Sequence, residues 1–316
     1  MIRIASVFLL LSQLFGSMSF AQSAFRIVPL GVKGGVQEEN LSAYLIAPAG
    51  SDAYVCLDAG TLNFGIRKAV EKRTFSVSQE VVLKNYIKGY LISHAHLDHL
   101  SGLITNSADD TTKNIYAFPK TLETIKNHYF NWESWPNFGN EGSGFLLKKY
   151  TYKSLTEGSE VKIEQTDMFV KPYKLSHSNP YESAAFLIRN GDSYILYFGD
   201  TGPDEVEKTN HIQTIWKDIS PLIKTGKLKG IFIEVSYPSE QPDKQLYGHL
   251  TPNWLVKEMN TLSELTGKEN MNKLNLIITH IKPTGNNEEK IKAQLQENNP
   301  LQLKLIIPEQ GVGFDL

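Results

Sequence analysis

Thiols are nearly absent: one cysteine, Cys56, stands in 316 residues. A single thiol excludes an internal disulfide and any thiolate-rich zinc site. Its place in the apolar run Ala53 to Leu57 reads as a small buried hydrophobe. A dominant sign of charge is also missing, since 32 basic residues face 34 acidic ones, for a formal net charge of -2. No long basic block occurs, so neither a nucleic-acid polymer nor an anionic membrane is attracted globally, and any phosphate recognition has to be local. After the first residues no segment approaches the ~20 apolar residues of a transmembrane helix. Solenoid repeats, low-complexity tracts and linkers are missing too. What is present is 41% hydrophobic residues in a chain long enough for one large core or two close halves.

The N-terminus carries compartment information. Met1-Ile2-Arg3 is a short cationic start, Val7 to Phe15 is apolar but too short to span a bilayer, and Ser19-Phe20-Ala21 supplies small residues at cleavage spacing. This pattern predicts a secretory signal peptide over residues 1–21 and a single domain over 22–316, located in the periplasm or secreted.

The densest chemistry lies in Ser93-His94-Ala95-His96-Leu97-Asp98-His99-Leu100-Ser101-Gly102-Leu103, with three imidazoles and a carboxylate inside six residues. An apolar strand, Gly89 to Ser93, precedes it, and Leu97, Leu100, Leu103 and Ile104 follow at helical spacing. A strand-to-helix transition places these polar groups at the carboxyl end of a sheet, where open α/β sheets bind ligands. Imidazole nitrogen and carboxylate oxygen both suit zinc-like cations, so His94 and His96 can serve one ion while Asp98 and His99 serve another.

Around that motif the chain alternates strands and helices. Phe25 to Leu30, Leu41 to Ala47 and Ala53 to Leu57 read as strands, the last ending in Asp58. Ser78 to Lys88 and Lys120 to His128 read as helices, with Ile115 to Phe118 a strand between them. Val161 to Glu164, Met168 to Leu175, Ala184 to Arg189 and Ser193 to Phe198 form a second run of strands, with His177 past one end and Asp200 past another. Helices over Thr209 to Lys224, Pro252 to Leu265 and Glu288 to Gln296 alternate with strands over Leu228 to Val235, Leu274 to Thr279 and Leu303 to Ile307. Glu234 and His280 lie at strand ends. Two strand-rich runs interleaved with helices predict an α/β four-layer αββα sandwich. The segment Tyr129 to Phe138 is rich in rings at neither period; it is either a satellite packing cluster or a lid whose Trp132 and Trp135 stack on a nucleobase.

His94-x-His96-x-Asp98-His99, followed by His177, Asp200 and His280, resembles the metallo-β-lactamase superfamily across nearly the whole chain after residue 21. More narrowly, His94-Ala-His96-Leu-Asp98-His99-Leu-Ser-Gly, Tyr197-Phe-Gly-Asp200-Thr-Gly-Pro-Asp and Tyr247-Gly-His249-Leu-Thr resemble the class II cyclic-nucleotide phosphodiesterases. The resemblance implies two divalent ions, normally zinc, and hydrolysis of cyclic AMP or cyclic GMP to the 5′-nucleotide. It implies His94, His96 and His177 on the first ion, Asp98, His99 and His280 on the second, Asp200 on both, and Asp58 as a supporting acid. Thr105 departs from the family's aliphatic residue, at a position expected on the helix behind the site.

Two ions about 3.5–4 Å apart would acidify a bridging water and neutralise phosphoryl charge. The departing 3′-oxygen also needs a proton. Gly248-His249-Leu250-Thr251 is similar to the His-Ser-Thr element of ribonuclease Z, which makes His249 the expected acid and Glu234 its partner, with Asp98 counted in the catalytic set. The partner expected is therefore a small cyclic nucleotide, with no nucleic-acid polymer and no membrane span, and with room for a homodimer. The rivals are a ribonuclease Z-like enzyme, a lactonase and a silent metal-binding scaffold.

Overall fold

Several strands bury both faces, and their side chains alternate between two separate cores. In Tyr44-Leu45-Ile46 the outer two residues enter one hydrophobic cluster and Leu45 another, and Ile231-Phe232-Ile233 and Leu276-Ile277-Ile278 divide in the same way. Burial on both faces is what a layered sheet demands, and it explains the continuous apolar runs in the sequence. The computed structural model describes residues 23–316, so the expected signal segment lies outside the described residues.

The strands are β1 (Phe25–Gly31), β2 (Ala43–Pro48), β3 (Tyr54–Leu57), β4 (Ile87–Leu91), β5 (Lys113–Ala117), β6 (Tyr150–Ser154), β7 (Val161–Lys162), β8 (Met168–Ser176), β9 (Glu182–Asn190), β10 (Ser193–Phe198), β11 (Leu228–Glu234), β12 (Asn275–Thr279), β13 (Lys304–Ile306) and β14 (Phe314–Asp315). They form two seven-stranded sheets, ordered β14-β1-β2-β3-β4-β5-β6 and β13-β12-β11-β10-β9-β8-β7. Each sheet is antiparallel over one half and parallel over the other, the parallel pairs running from β3 to β6 and from β10 to β13. Ile46, Leu57 and Leu91 of the first sheet pack with Phe186, Ile195 and Phe232 of the second to fill the space between them. Helices Asn63–Glu71 and Leu97–Asn106 cover the outer face of the first sheet through Ile66, Ala69, Leu100 and Leu103. Helices His211–Lys224, Pro252–Thr266 and Asn287–Glu297 cover the second through Ile215, Trp216, Leu255, Met259 and Ile291. The layers are therefore α, β, β and α, as expected.

Besides short elements such as β14, three elements differ from the sequence reading in ways that bear on the frame. Helix Asn63–Glu71 was not anticipated; it holds Gly65, a poor helix former, because a Cβ there would lie 2.1 Å from the Leu30 carbonyl oxygen. The helix expected from Ser78 to Lys88 ends at Tyr86 in a π turn and gives way to β4, although Ser78 caps it as expected by accepting from the Val81 amide. β6 was missed because it is an edge strand whose residues are largely half-exposed and show no clean alternation.

Candidate metal centre

The polar residues singled out in the sequence leave the strands at one end. Asp58 follows β3, Asp200 follows β10, Glu234 closes β11 and His280 follows β12. His177 follows β8, and the turn after β4 carries His94 and His96 into helix Leu97–Asn106, whose first turn holds Asp98 and His99. Asp58 and His280 take left-handed backbone, with φ of 52° and 57°, which turns each side chain out of its strand. Gly34 makes room for this arrangement: a Cβ there would lie 2.2–2.5 Å from atoms of the His280 ring.

The seven residues expected to hold metal converge. His94 Nε2 and His177 Nε2 lie 3.1 and 3.2 Å from His96 Nδ1. Around one tetrahedral ion with bonds of ~2.0–2.1 Å, ligand atoms sit about 3.3 Å apart, so these three nitrogens have the spacing of a metal face. Asp98, His99, Asp200 and His280 form a second set whose donor atoms fall within 4.8 Å of one another. Asp200 is central. Its Oδ2 lies 3.2 Å from His280 Nε2 and 3.8 Å from His94 Nε2, His177 Nε2 and His249 Nδ1, while Oδ1 lies 3.3 Å from His99 Nε2. Among the described residues buried His99 Nε2 has no hydrogen-bond partner, as a nitrogen reserved for a cation would. The donors present fit a divalent metal.

Two matching relays hold the rings from behind. Asp58 accepts from His99 Nδ1 at 2.8 Å and from Ser93 Oγ at 2.9 Å, and Ser93 Oγ in turn accepts from His94 Nδ1 at 3.0 Å. Glu234 accepts from His249 Nδ1 at 2.8 Å and from Ser236 Oγ at 2.6 Å, and Ser236 Oγ accepts from His280 Nδ1 at 2.9 Å. Each carboxylate thus fixes one imidazole directly and a second through a serine, leaving Nε2 of His94, His99 and His280 directed toward Asp200. The Ser93 amide and the Tyr197 hydroxyl, both at 2.7 Å, complete the shell around Asp58. Asp58→Asn keeps the shape but cannot accept all four bonds. Metal affinity is expected to fall about 10–100-fold, measured by Zn²⁺ competition against a chromophoric chelator; unchanged affinity would remove Asp58 from this role.

Burial, followed by the neighbouring imidazoles, holds His94 well below the usual histidine range. Burial lowers His177, and it lowers His96 to about 4. All three are therefore neutral at pH 7, as ligands must be. Burial also acts to lower His99, but Asp200, Asp58 and Asp98 outweigh it and raise the imidazole well above its ordinary value. Three carboxylates facing one buried ring demand positive charge at this point, which a divalent cation supplies. Burial opposes ionisation of Glu234, yet His249 keeps its carboxyl below the ordinary range and anionic.

Two expectations from the sequence can be placed in the structure. Trp135 packs against the core of the first sheet and donates Nε1–H to Ser107 Oγ at 3.0 Å, while Trp132 donates to the Phe145 carbonyl at 2.7 Å. Trp132 thus braces its own loop and Trp135 ties that loop to the end of helix Leu97–Asn106, as the packing alternative expected, while the Tyr129 hydroxyl donates to the Ala95 carbonyl at 3.0 Å, between two of the expected ligands. Thr105 does not lie behind the site; it lines a cleft shared with Asp98 and Leu97. Sequence reasoning also missed Ser93, Ser236, Tyr181 and Tyr197, single hydroxyl residues without diagnostic spacing.

Comparison with known proteins agrees with this geometry. The family described as cAMP phosphodiesterases class-II matches residues 24–311. A 3′,5′-cyclic-nucleotide phosphodiesterase of Aliivibrio fischeri is 45% identical over 310 residues, covering 93% of this chain and 94% of that protein. The crystal structure of unliganded yeast PDE1 superposes with a TM-score of 0.82 at 25% identity, covering 93% of this chain and all of that one. The metallo-beta-lactamase fold protein YhfI of Bacillus subtilis superposes with a TM-score of 0.62 at 14% identity, covering 92% of this chain and 99% of that one, which shows the fold.

Proposed function

This chain belongs to the class-II cAMP phosphodiesterases, and from that premise we propose that it hydrolyses 3′,5′-cyclic AMP and/or cyclic GMP to the 5′-nucleotide with divalent metal. The observation that supports the chemistry best is the convergence on Asp200 of two ligand sets and the Glu234–His249 pair. In this reading His94, His96 and His177 hold one zinc ion, Asp98, His99 and His280 a second, and Asp200 both. Divalent metal held there would supply acidification of water and neutralisation of phosphoryl charge.

The chain's own residues supply the proton. His249 is buried, and its Nδ1–H is committed to Glu234 at 2.8 Å, which leaves Nε2 to carry the proton that the departing 3′-oxygen needs. Glu234 is itself fixed by the Thr201 amide at 3.0 Å and by Ser236 Oγ, so the imidazole keeps one orientation. The nucleobase has a place beside this centre. A cleft of about 590 Å³, lined by Asp98, Leu97, Val36, Leu62, Phe64 and Thr105, opens next to the second ligand set, and Val36 and Leu97 are exposed on its rim. Its size and apolar walls suit a small planar ligand, and in this reading it takes the part expected of Trp132 and Trp135.

A ribonuclease Z-like activity lacks support, because the near-neutral chain carries no basic block for a polymer. Purified protein is expected to bind about two equivalents of divalent metal, to hydrolyse cyclic AMP or cyclic GMP, and to lose that activity reversibly on chelation. Processing of a transfer-RNA precursor or an acyl-homoserine lactone in place of the cyclic nucleotides would overturn the substrate, and active protein without transition metal would overturn the chemistry. We extend the reading to the compartment, placing the enzyme in the periplasm or outside the cell on the pattern of residues 1–21. N-terminal sequencing of exported protein should then begin at Gln22.

A further inference from the structure

Four of the five ligand imidazoles are held in one way. His94, His99, His177 and His280 each direct Nε2 inward, with Nδ1 bonded respectively to Ser93 Oγ, Asp58, the Gly248 carbonyl and Ser236 Oγ at 2.8–3.0 Å. His96 is reversed. Its Nδ1 faces His94 and His177, its Nε2 makes no hydrogen bond among the described residues, and the residue lies exposed at the mouth of the centre. An imidazole on a free χ2 bond pays rotational entropy when it binds metal, and here no hydrogen bond removes that freedom beforehand.

A ring does so instead. Tyr181 lies over His96 with centroids 4.4 Å apart and planes 18° from parallel. Tyr181 is itself fixed within the loop that presents His177, since the His177 amide donates to the Tyr181 carbonyl at 3.0 Å and the Tyr181 amide donates to Ser178 at 3.1 Å. Buried Glu207 ties this loop down, accepting from Ser176 Oγ at 2.7 Å and from the Asn179 amide at 3.0 Å. Ala95, the residue between His94 and His96, is held in turn by the Tyr129 hydroxyl, which donates to its carbonyl at 3.0 Å. One loop of the second sheet therefore supplies His177 and also sets the ring of His96, which belongs to the first.

We propose that Tyr181 is a positioning residue that makes His96 a competent metal ligand by stacking, in place of the hydrogen bond the other ligand imidazoles use. This rests on the reading of the centre as a two-ion site. Loss of the stack should weaken only the ion held by His94, His96 and His177.

The test is a Zn²⁺ competition titration of the full protein against a chromophoric chelator, resolving the two equivalents. Wild type should show both, and failure to do so would overturn the two-ion reading independently of Tyr181. Tyr181→Leu and Tyr181→Thr should each weaken one equivalent about 10–100-fold and leave the other unchanged. Tyr181→Phe, which keeps the ring, should stay within about threefold of wild type. Unchanged affinity in both stackless variants, equal weakening of both equivalents, or a loss in Tyr181→Phe as large as in Tyr181→Leu would overturn the proposal. Because Tyr181 is only partly buried, at least one of the substitutions is expected to fold, and the melting temperature of metal-free protein checks this.

Discussion

Asp200→Ala is expected to lower cyclic-nucleotide turnover by at least about 10³-fold while leaving the fold intact, the largest effect of any single ligand change. The carboxylate is the meeting point of the centre, within 3.2–3.8 Å of nitrogens on His94, His99, His177, His249 and His280. Burial opposes its ionisation, but His280 and His99 hold its carboxyl well below the ordinary range, so at neutral pH it is an anion in a buried cage of imidazoles. In the proposed reading Asp200 belongs to both ligand sets, so its removal should weaken both. Metal per chain should fall from about two toward less than one, whereas a ligand confined to one set should spare the other ion. Asp200→Asn separates charge from shape, since it keeps the volume yet cannot neutralise a cation, and it should fall nearly as far as alanine. Full activity in Asp200→Ala, with two equivalents of metal still bound, would sink the shared-ligand assignment.

The legible part of this centre was the part that declares itself locally. His94, His96, Asp98 and His99 crowd into six residues, and few structural needs explain such density. His177, Asp200 and His280 were legible at long range because an apolar run ending in a single polar residue marks a strand's carboxyl end, where β8, β10 and β12 do stop. Ser93 and Ser236 were not legible. A serine becomes meaningful only when a carboxylate from another strand and an imidazole from a third meet its hydroxyl, and no sequence period encodes that meeting. Tyr181 was hidden for the same reason, since its partner His96 is 85 positions away and on the other sheet. The tryptophans stayed ambiguous because an aromatic cluster carries the same signal whether its rings face a ligand or the core; Trp135 packs against the core. Helix Asn63–Glu71 escaped because Gly65, there to let the helix approach Leu30, lowers the local helical signal.

His249→Ala is the change that separates acid catalysis from positioning, provided the leaving group is varied as well as the enzyme. The two relays make the comparison informative: Asp58 with Ser93 serves two expected metal ligands, whereas Glu234 with Ser236 serves one expected ligand, His280, and one further imidazole, His249. A ribose 3′-oxygen is strongly basic and leaves poorly without a proton, while nitrophenolate leaves unaided. General acid catalysis supplies a factor of about 10²–10⁴, so His249→Ala should lose that much turnover with cyclic AMP and far less with bis(p-nitrophenyl) phosphate, its metal content unchanged. Glu234→Gln should show the same asymmetry with a smaller fall, because it leaves the imidazole in place but weakens the 2.8 Å contact that orients it. The Ser236 bond to His280 provides the control, as any wider damage from Glu234→Gln would reach metal binding through that arm. An equal fall on both substrates in His249→Ala would make the residue a phosphate-binding or structural group, and the proton would then have to come from solvent.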